Sequence, residues 1–192
     1  MKQALQLSFI LFLLFSLSSC GYNKMVELQE AITGQWSQVE NSYQRRADLI
    51  PNLVNVVKGY ADFEKSTLES VVNARAKATS INIDPTNITP EQLEAFQSAQ
   101  SGLSSALSRL LVVAEQYPDL KANNNFRELQ AQLEGTENRI AVERQKFNDT
   151  VKEYNTYIKK LPQSLSAGML GFHEKAYFKA QEGAEKAPEV KF

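Results

Sequence analysis

The chain has 192 residues, 43% of them apolar, with 21 Lys and Arg against 22 Asp and Glu, one Cys and one His. That is enough for one domain with its own core, and dispersed, acid-matched basic residues leave no electrostatic footprint for nucleic acid. A lone Cys excludes an internal disulfide, and a lone His excludes the paired Glu-x-x-His ligands of a di-iron bundle and argues against a zinc site.

The chain opens with "MKQALQLSFILFLLFSLSSC". One Lys precedes an apolar run over residues 5–17, shorter than the roughly 20 residues that span a bilayer core, and small residues follow. The pattern predicts a secretory signal peptide over residues 1–19. "LSSC" resembles a bacterial lipobox, which makes Cys20 the lipidation site and the mature N-terminus. An ordinary cleavage site with a stray thiol, or an uncleaved anchor, are the alternatives. Because the mature charge is only −2 (20 basic against 22 acidic residues once Lys2 is gone), acyl chains rather than surface charge must hold the protein on the membrane. Gly21 is not the aspartate that retains lipoproteins at the inner membrane in some bacteria, so the outer membrane is favoured, with the protein facing the periplasm.

Four long amphipathic segments follow, at about 22–47, 49–80, 90–117 and 124–161. The first carries Met25, Leu28, Ile32, Trp36, Val39 and Tyr43 at steps of three and four, and the third alternates three and four from Leu93 to Tyr117 with Gln100 as its polar member. That repeat, near 3.5 residues, belongs to left-handed helix packing. The expected fold is all-α, an antiparallel up-and-down four-helix bundle over residues 20–161, with an irregular C-terminal tail over 162–192 that packs on the bundle or binds something. Thr89, Pro90 and Gln92 spell a capping box with proline at the first helical position. Pro118 and the asparagines that follow mark the next helix start.

"QRRADLIPNLV", residues 44–54, sets two arginines before a proline. Pro51 lacks an N–H and disfavours helix at Ile50, so a chain reversal is expected near Asp48. A kinked continuous helix is the alternative. A first helix of about 26 residues rises roughly 40 Å from Cys20. Arg45, Arg46, Tyr117, Asn123 and Asn124 would then share a membrane-distal tip, a candidate partner surface, while Lys159 and Lys160 return to the headgroups. The other reading makes the two arginines a helix terminus and nothing more. Gln35, Arg46, Gln100 and Arg144 occupy or border stripe positions where an apolar residue is expected, which marks either helix ends and splayed surfaces or a buried polar network with Glu64 or Glu137 as counter-charge to Arg144. It would serve either as an internal site or as a register device.

The stretches "WSQVENSYQRRADLIPNLVNVVKGYADFE", "EGTENRIAVERQKFNDTVKEYN" and "EGAEKAPEVKF" resemble the LemA family, in the same order along nearly the whole mature chain. The resemblance implies a four-helix antiparallel bundle, no established activity, and a membrane anchor that is usually an N-terminal helix. Family genes often lie near those for TPM-domain proteins or membrane zinc peptidases, which implies an envelope partner of that kind.

No catalytic chemistry is legible in the residues. There is no G-x-S-x-G turn, no Cys–His pair and no G-x-x-x-x-G-K loop, and no cofactor is expected. The function expected is a membrane-anchored, non-enzymatic adaptor or scaffold. The alternative is a binding module holding a small ligand or peptide in a groove between helices.

Overall fold

The computed structural model describes residues 2–60 and 64–179, with side chains from residue 21 onward. The side chain of Cys20, with the lipidation expected there, and the ending over residues 180–192 lie outside the described residues. Among the described residues five α-helices follow one another: α1 (Lys2–Lys58), α2 (Lys65–Thr79), α3 (Pro90–Ala114), α4 (Pro118–Ala122) and α5 (Asn124–Lys159), then a 3-10 turn at Gln163–Leu165. No strand occurs among the described residues, and the protein is all-α.

The helices form where the apolar stripes run. Met25, Leu28, Ile32, Trp36, Val39 and Tyr43 are all buried along α1, and Leu133, Ile140, Phe147, Val151, Tyr154 and Ile158 along α5, so each helix hides one face and leaves the other to water. Gln35 meets Glu143, Arg46 meets Glu137 and Tyr60 meets Asn123, so residue numbers rise along α1 as they fall along α5. Ala78 of α2 meets Gln100 of α3, and Ala47 of α1 meets Arg75 of α2. The apolar interior divides into two clusters. One surrounds Trp36, Phe96, Phe147 and Tyr154, and the other surrounds Leu53, Val71, Leu110 and Leu120.

The chain does not reverse at Pro51. Residues 44–54 belong to one helix that continues to Lys58, and the break falls between Lys58 and Lys65, well past the expected position. Proline at 51 leaves the carbonyl of Ala47, four residues back, without its helical donor. The Arg75 guanidinium fills that vacancy, its Nε donating to the Ala47 carbonyl oxygen at 2.7 Å. The burial of Ile50, Leu53, Val54 and Val57 supplies the rest of the reason to stay helical. At the break, the Glu64 carboxylate accepts from the hydroxyls of Ser66 and Thr67 at the start of α2.

The other boundaries follow local chemistry. Thr89 and Gln92 exchange both capping-box hydrogen bonds ahead of α3, with Pro90 in first position. That helix ends at Ala114 rather than at residue 117, and Pro118 opens the short α4, which the periodicity does not predict. Asn123 caps α5 by accepting from the Phe126 amide.

Arg75→Ala should cost about 1–2 kcal/mol, because it strands a partly buried carbonyl. In a Pro51→Ala background, where residue 51 can donate to Ala47 again, the same change should cost clearly less. A double-mutant cycle in urea reads this coupling, and equal costs in both backgrounds would remove the compensation.

Candidate functional site

Arg46 of α1 is 1% exposed, and α3 and α5 both meet its guanidinium. Nη1 donates to Ser104 Oγ at 2.8 Å and to Glu137 at 2.6 Å, and Nη2 donates to Gln100 Oε1 at 2.6 Å and to its carbonyl at 3.3 Å. Gln100 Nε2 in turn donates to the Ala78 carbonyl at 3.2 Å, which brings in α2. The Arg46 guanidinium carbon also lies 5.2 Å from the centre of the Tyr43 ring. Glu137 is about half-exposed, so this layer of charge reaches water at one edge.

The buried network joins Gln100 and Glu137, with Arg46 as its cation. Arg144 lines the same small cavity as Arg46, Gln100 and Glu137 and also donates to the C-terminal tail, while Glu64 lies elsewhere, at the start of α2. Gln35 belongs to a second polar group, donating from Nε2 to the buried Glu143 at 2.8 Å. Arg139 and Lys146 also hold Glu143, at 2.8 and 3.2 Å. The Gln35 hydrogen bond is the largest of the influences that set the Glu143 carboxyl below its ordinary value of 4.5, with the two cations helping against burial.

A tip shared by Arg46 and Tyr117 does not form. Arg46 is bound to Gln100, which sits 14 residues before the end of α3, or about 21 Å along a helix. Arg45 is exposed on α1 and Asn124 is exposed at the start of α5. What gathers around the α4 end is a different set: Asn123 Nδ2 donates to the Tyr60 hydroxyl, which donates to the Asp119 carbonyl.

Sequence reasoning missed the groove that holds the tail. Residues 172–179 run extended along α5 and past α1 and α3. Asn155 exchanges two hydrogen bonds with the backbone of Lys175, each 2.9 Å, and Asn148 does the same with Phe178 at 2.9 and 3.0 Å. The spacing explains the fit. Seven residues of helix rise about 10.5 Å and three extended residues about 10 Å, so one heptad of α5 matches three residues of tail. Tyr154 donates to the His173 carbonyl, and Arg144 and Gln97 donate to the Lys179 carbonyl. His173 is itself exposed.

One side chain of the tail is read closely. The Phe178 ring stacks on Trp36 at 5.9 Å and meets Phe147 edge-on at 5.3 Å. The Arg144 guanidinium covers it at 4.9 Å. Trp36 Nε1 is buried without a hydrogen-bond partner, so this pocket is aromatic and apolar in character. Main-chain contacts with one aromatic anchor are the chemistry of extended-peptide recognition. A sequence signal existed in Asn148 and Asn155, one heptad apart beside the Phe147–Val151–Tyr154 stripe.

Comparison with known proteins agrees with this geometry in extent. The LemA family profile matches residues 35–192, which include Arg46, Gln100, Glu137, both asparagines and the tail. Magnetosome protein MamQ of Magnetospirillum gryphiswaldense is 29% identical over 174 residues, covering 82% of this chain and 64% of its own. Magnetosome protein MamQ 2 of Paramagnetospirillum magneticum is 28% identical, covering 85% and 66%. Protein LemA of Metamycoplasma hominis is 26% identical, covering 83% and 69%. The chain thus spans just under two thirds of the length of the MamQ relatives.

Two outcomes follow from these polar groups. Glu137→Ala leaves the buried Arg46 with neutral acceptors only and should cost about 2–3 kcal/mol in chemical denaturation, less than a fully buried pair because water reaches Glu137. Arg46→Met deletes more hydrogen bonds yet should cost less, and adding it to Glu137→Ala should recover stability. The second outcome concerns Glu143, whose folded carboxyl lies below its ordinary value. Its contribution is complete above pH 4.5 and is lost as pH falls further,. Glu143→Gln should therefore be less stable than the parent at neutral pH, with the gap narrowing below that value.

Proposed function

The chain belongs to the LemA family, and from that premise we propose a non-enzymatic, lipid-anchored adaptor of the bacterial cell envelope that holds an extended peptide between its helices. In this reading the four long helices α1, α2, α3 and α5 form an antiparallel up-and-down bundle. Acylated Cys20 holds the molecule on the membrane facing the periplasm, with the outer membrane favoured. The partner is an envelope protein, of the TPM-domain or membrane-peptidase kind that the family resemblance implies.

The observation that carries the reading is the two-point asparagine clamp. Asn148 and Asn155 satisfy both backbone groups of Lys175 and of Phe178, which grips a peptide without regard to most of its side chains. The aromatic pocket then supplies the selectivity. Of the two expected alternatives, adaptor and groove binder, the clamp unites them, and it favours a peptide over a small ligand.

The test uses the full chain with a protease site placed at residues 168–171 and cut after folding. A labelled peptide of residues 172–179 should then exchange into the groove. Trp36, the sole tryptophan, should report the exchange through its stacking on Phe178. The same peptide carrying Phe178→Ala should fail to compete. Loss of helical structure on cleavage, or a folded chain that never exchanges its tail, would make the tail a fixed part of the core and overturn the peptide-holding reading.

A further inference from the structure

Residues 161–172, "LPQSLSAGMLGF", contain no charged side chain. Four large apolar residues within this run face outward: Leu161 at 74% exposure, Leu165 at 72%, Met169 at 84% and Leu170 at 47%. The segment is nonetheless built. Ser164 donates its amide to the Lys160 carbonyl at 2.9 Å, Ala167 to Gln163 at 2.8 Å, and Phe172 to Ala167 at 2.9 Å. Ala167 and Phe172 are buried in the core. The loop is thus pinned by two inward side chains while its leucines and methionine are held outward, a concentration of exposed apolar surface that water does not favour.

Its place in the fold indicates what covers it. The loop lies beside Gly21, Tyr22 and Met25, with Leu165, Gln163 and Pro162 lining a shared cleft. A Cβ on Gly21 would stand 3.6 Å from the Gln163 side chain. On α1, Tyr22 and Val26 add exposed apolar surface at this same end. This is the end from which α1 runs back to Lys2, through the apolar sequence of residues 5–17. Lys160 is exposed at the head of the loop, and Lys159, also exposed, pairs with Glu174 at 2.7 Å. An apolar surface headed by the exposed Lys160, at the end of the protein that carries Cys20, has the composition of an interfacial membrane contact,.

We propose that the 161–170 loop, together with Tyr22 and Val26, dips into the lipid interface and is a second, peripheral membrane contact of this protein. It sets the bundle upright on the bilayer, where acyl chains alone would leave it free to swing. The inference rests on the membrane-anchored reading for its orientation only, since the exposed residues are those of the loop and not of the anchor.

The experiment places single cysteines at 165, at 169 and, as a control, at the exposed Val112 in the full chain. Each is labelled with a polarity-sensitive fluorophore and reconstituted into phosphatidylethanolamine–phosphatidylglycerol vesicles containing spin-labelled lipid. Labels at 165 and 169 should shift to the blue and lose more than half their emission to the lipid quencher, while 112 stays unchanged. Leu165→Asp with Met169→Asp should abolish quenching of a label at 161 while helicity is kept. Membrane-bound protein whose labels at 165 and 169 stay as wet as the one at 112 overturns the proposal. So does energy transfer between labelled copies without lipid quenching, which would assign the face to a second copy. Repeating the measurement with Cys20→Ala, retained by its uncleaved leader, separates the two readings. Persistent quenching upholds the loop whatever becomes of lipidation, and release of that chain from membranes bears on the anchor alone.

Discussion

A guanidinium buried in the middle of a helical protein can sit in only one place, where every acceptor it needs is already present. The two Nη groups of Arg46 meet that condition through Ser104, both oxygens of Gln100 and the Glu137 carboxylate, its Nε alone staying buried without a partner, and Gln100 extends the network to α2 through Ala78. Sliding α1 by one turn against α3 or α5 would leave this charge unpaired, which costs far more than misplacing a leucine. The two apolar clusters on either side supply bulk stabilisation that is tolerant of register. The arginine layer between them is what makes a single alignment preferable.

The alignment has consequences one heptad at a time. With α1 and α5 in register, Trp36 faces Phe147 at 5.5 Å and Phe96 at 5.4 Å. Asn148 and Asn155 then stand beside that aromatic floor at a spacing an extended strand can match. Gln35 and Glu143 lock the same pair of helices from its other side. The groove is thus a product of helix register, and the tail that fills it adds no helix of its own. It borrows backbone partners from asparagine side chains, as an added strand borrows them from a sheet edge.

Local chemistry was legible in the sequence, and long-range compensation was not. The stripes of α1, α3 and α5, the Thr89–Gln92 capping box and the Asn123 cap all depend on residues within a few positions of one another, and the sequence displays them. Gln100 and Glu137 stood out because a polar group in or beside an apolar stripe needs a partner. Pro51 misled for the opposite reason. Its missing hydrogen bond is offset by Arg75, a residue 28 positions away from the carbonyl it serves, and no local pattern announces such a donor. Arg46 stood out as a polar member of a stripe, yet it also looked like a helix terminus, since a turn expected at residue 48 put it at an end. Asn148 and Asn155 were not singled out because their partner is an extended tail with no periodicity to read.

The central claim is that the tail is a separable ligand on a groove that exists without it, and hydrogen exchange at two amides tests it most directly. The Lys175 and Phe178 N–H groups both donate to the asparagine clamp. The account predicts that they exchange together through an opening well short of global unfolding, while amides beside Phe147 and Trp36 exchange only with the whole fold. Protection of Lys175 and Phe178 equal to that of the core amides would contradict it.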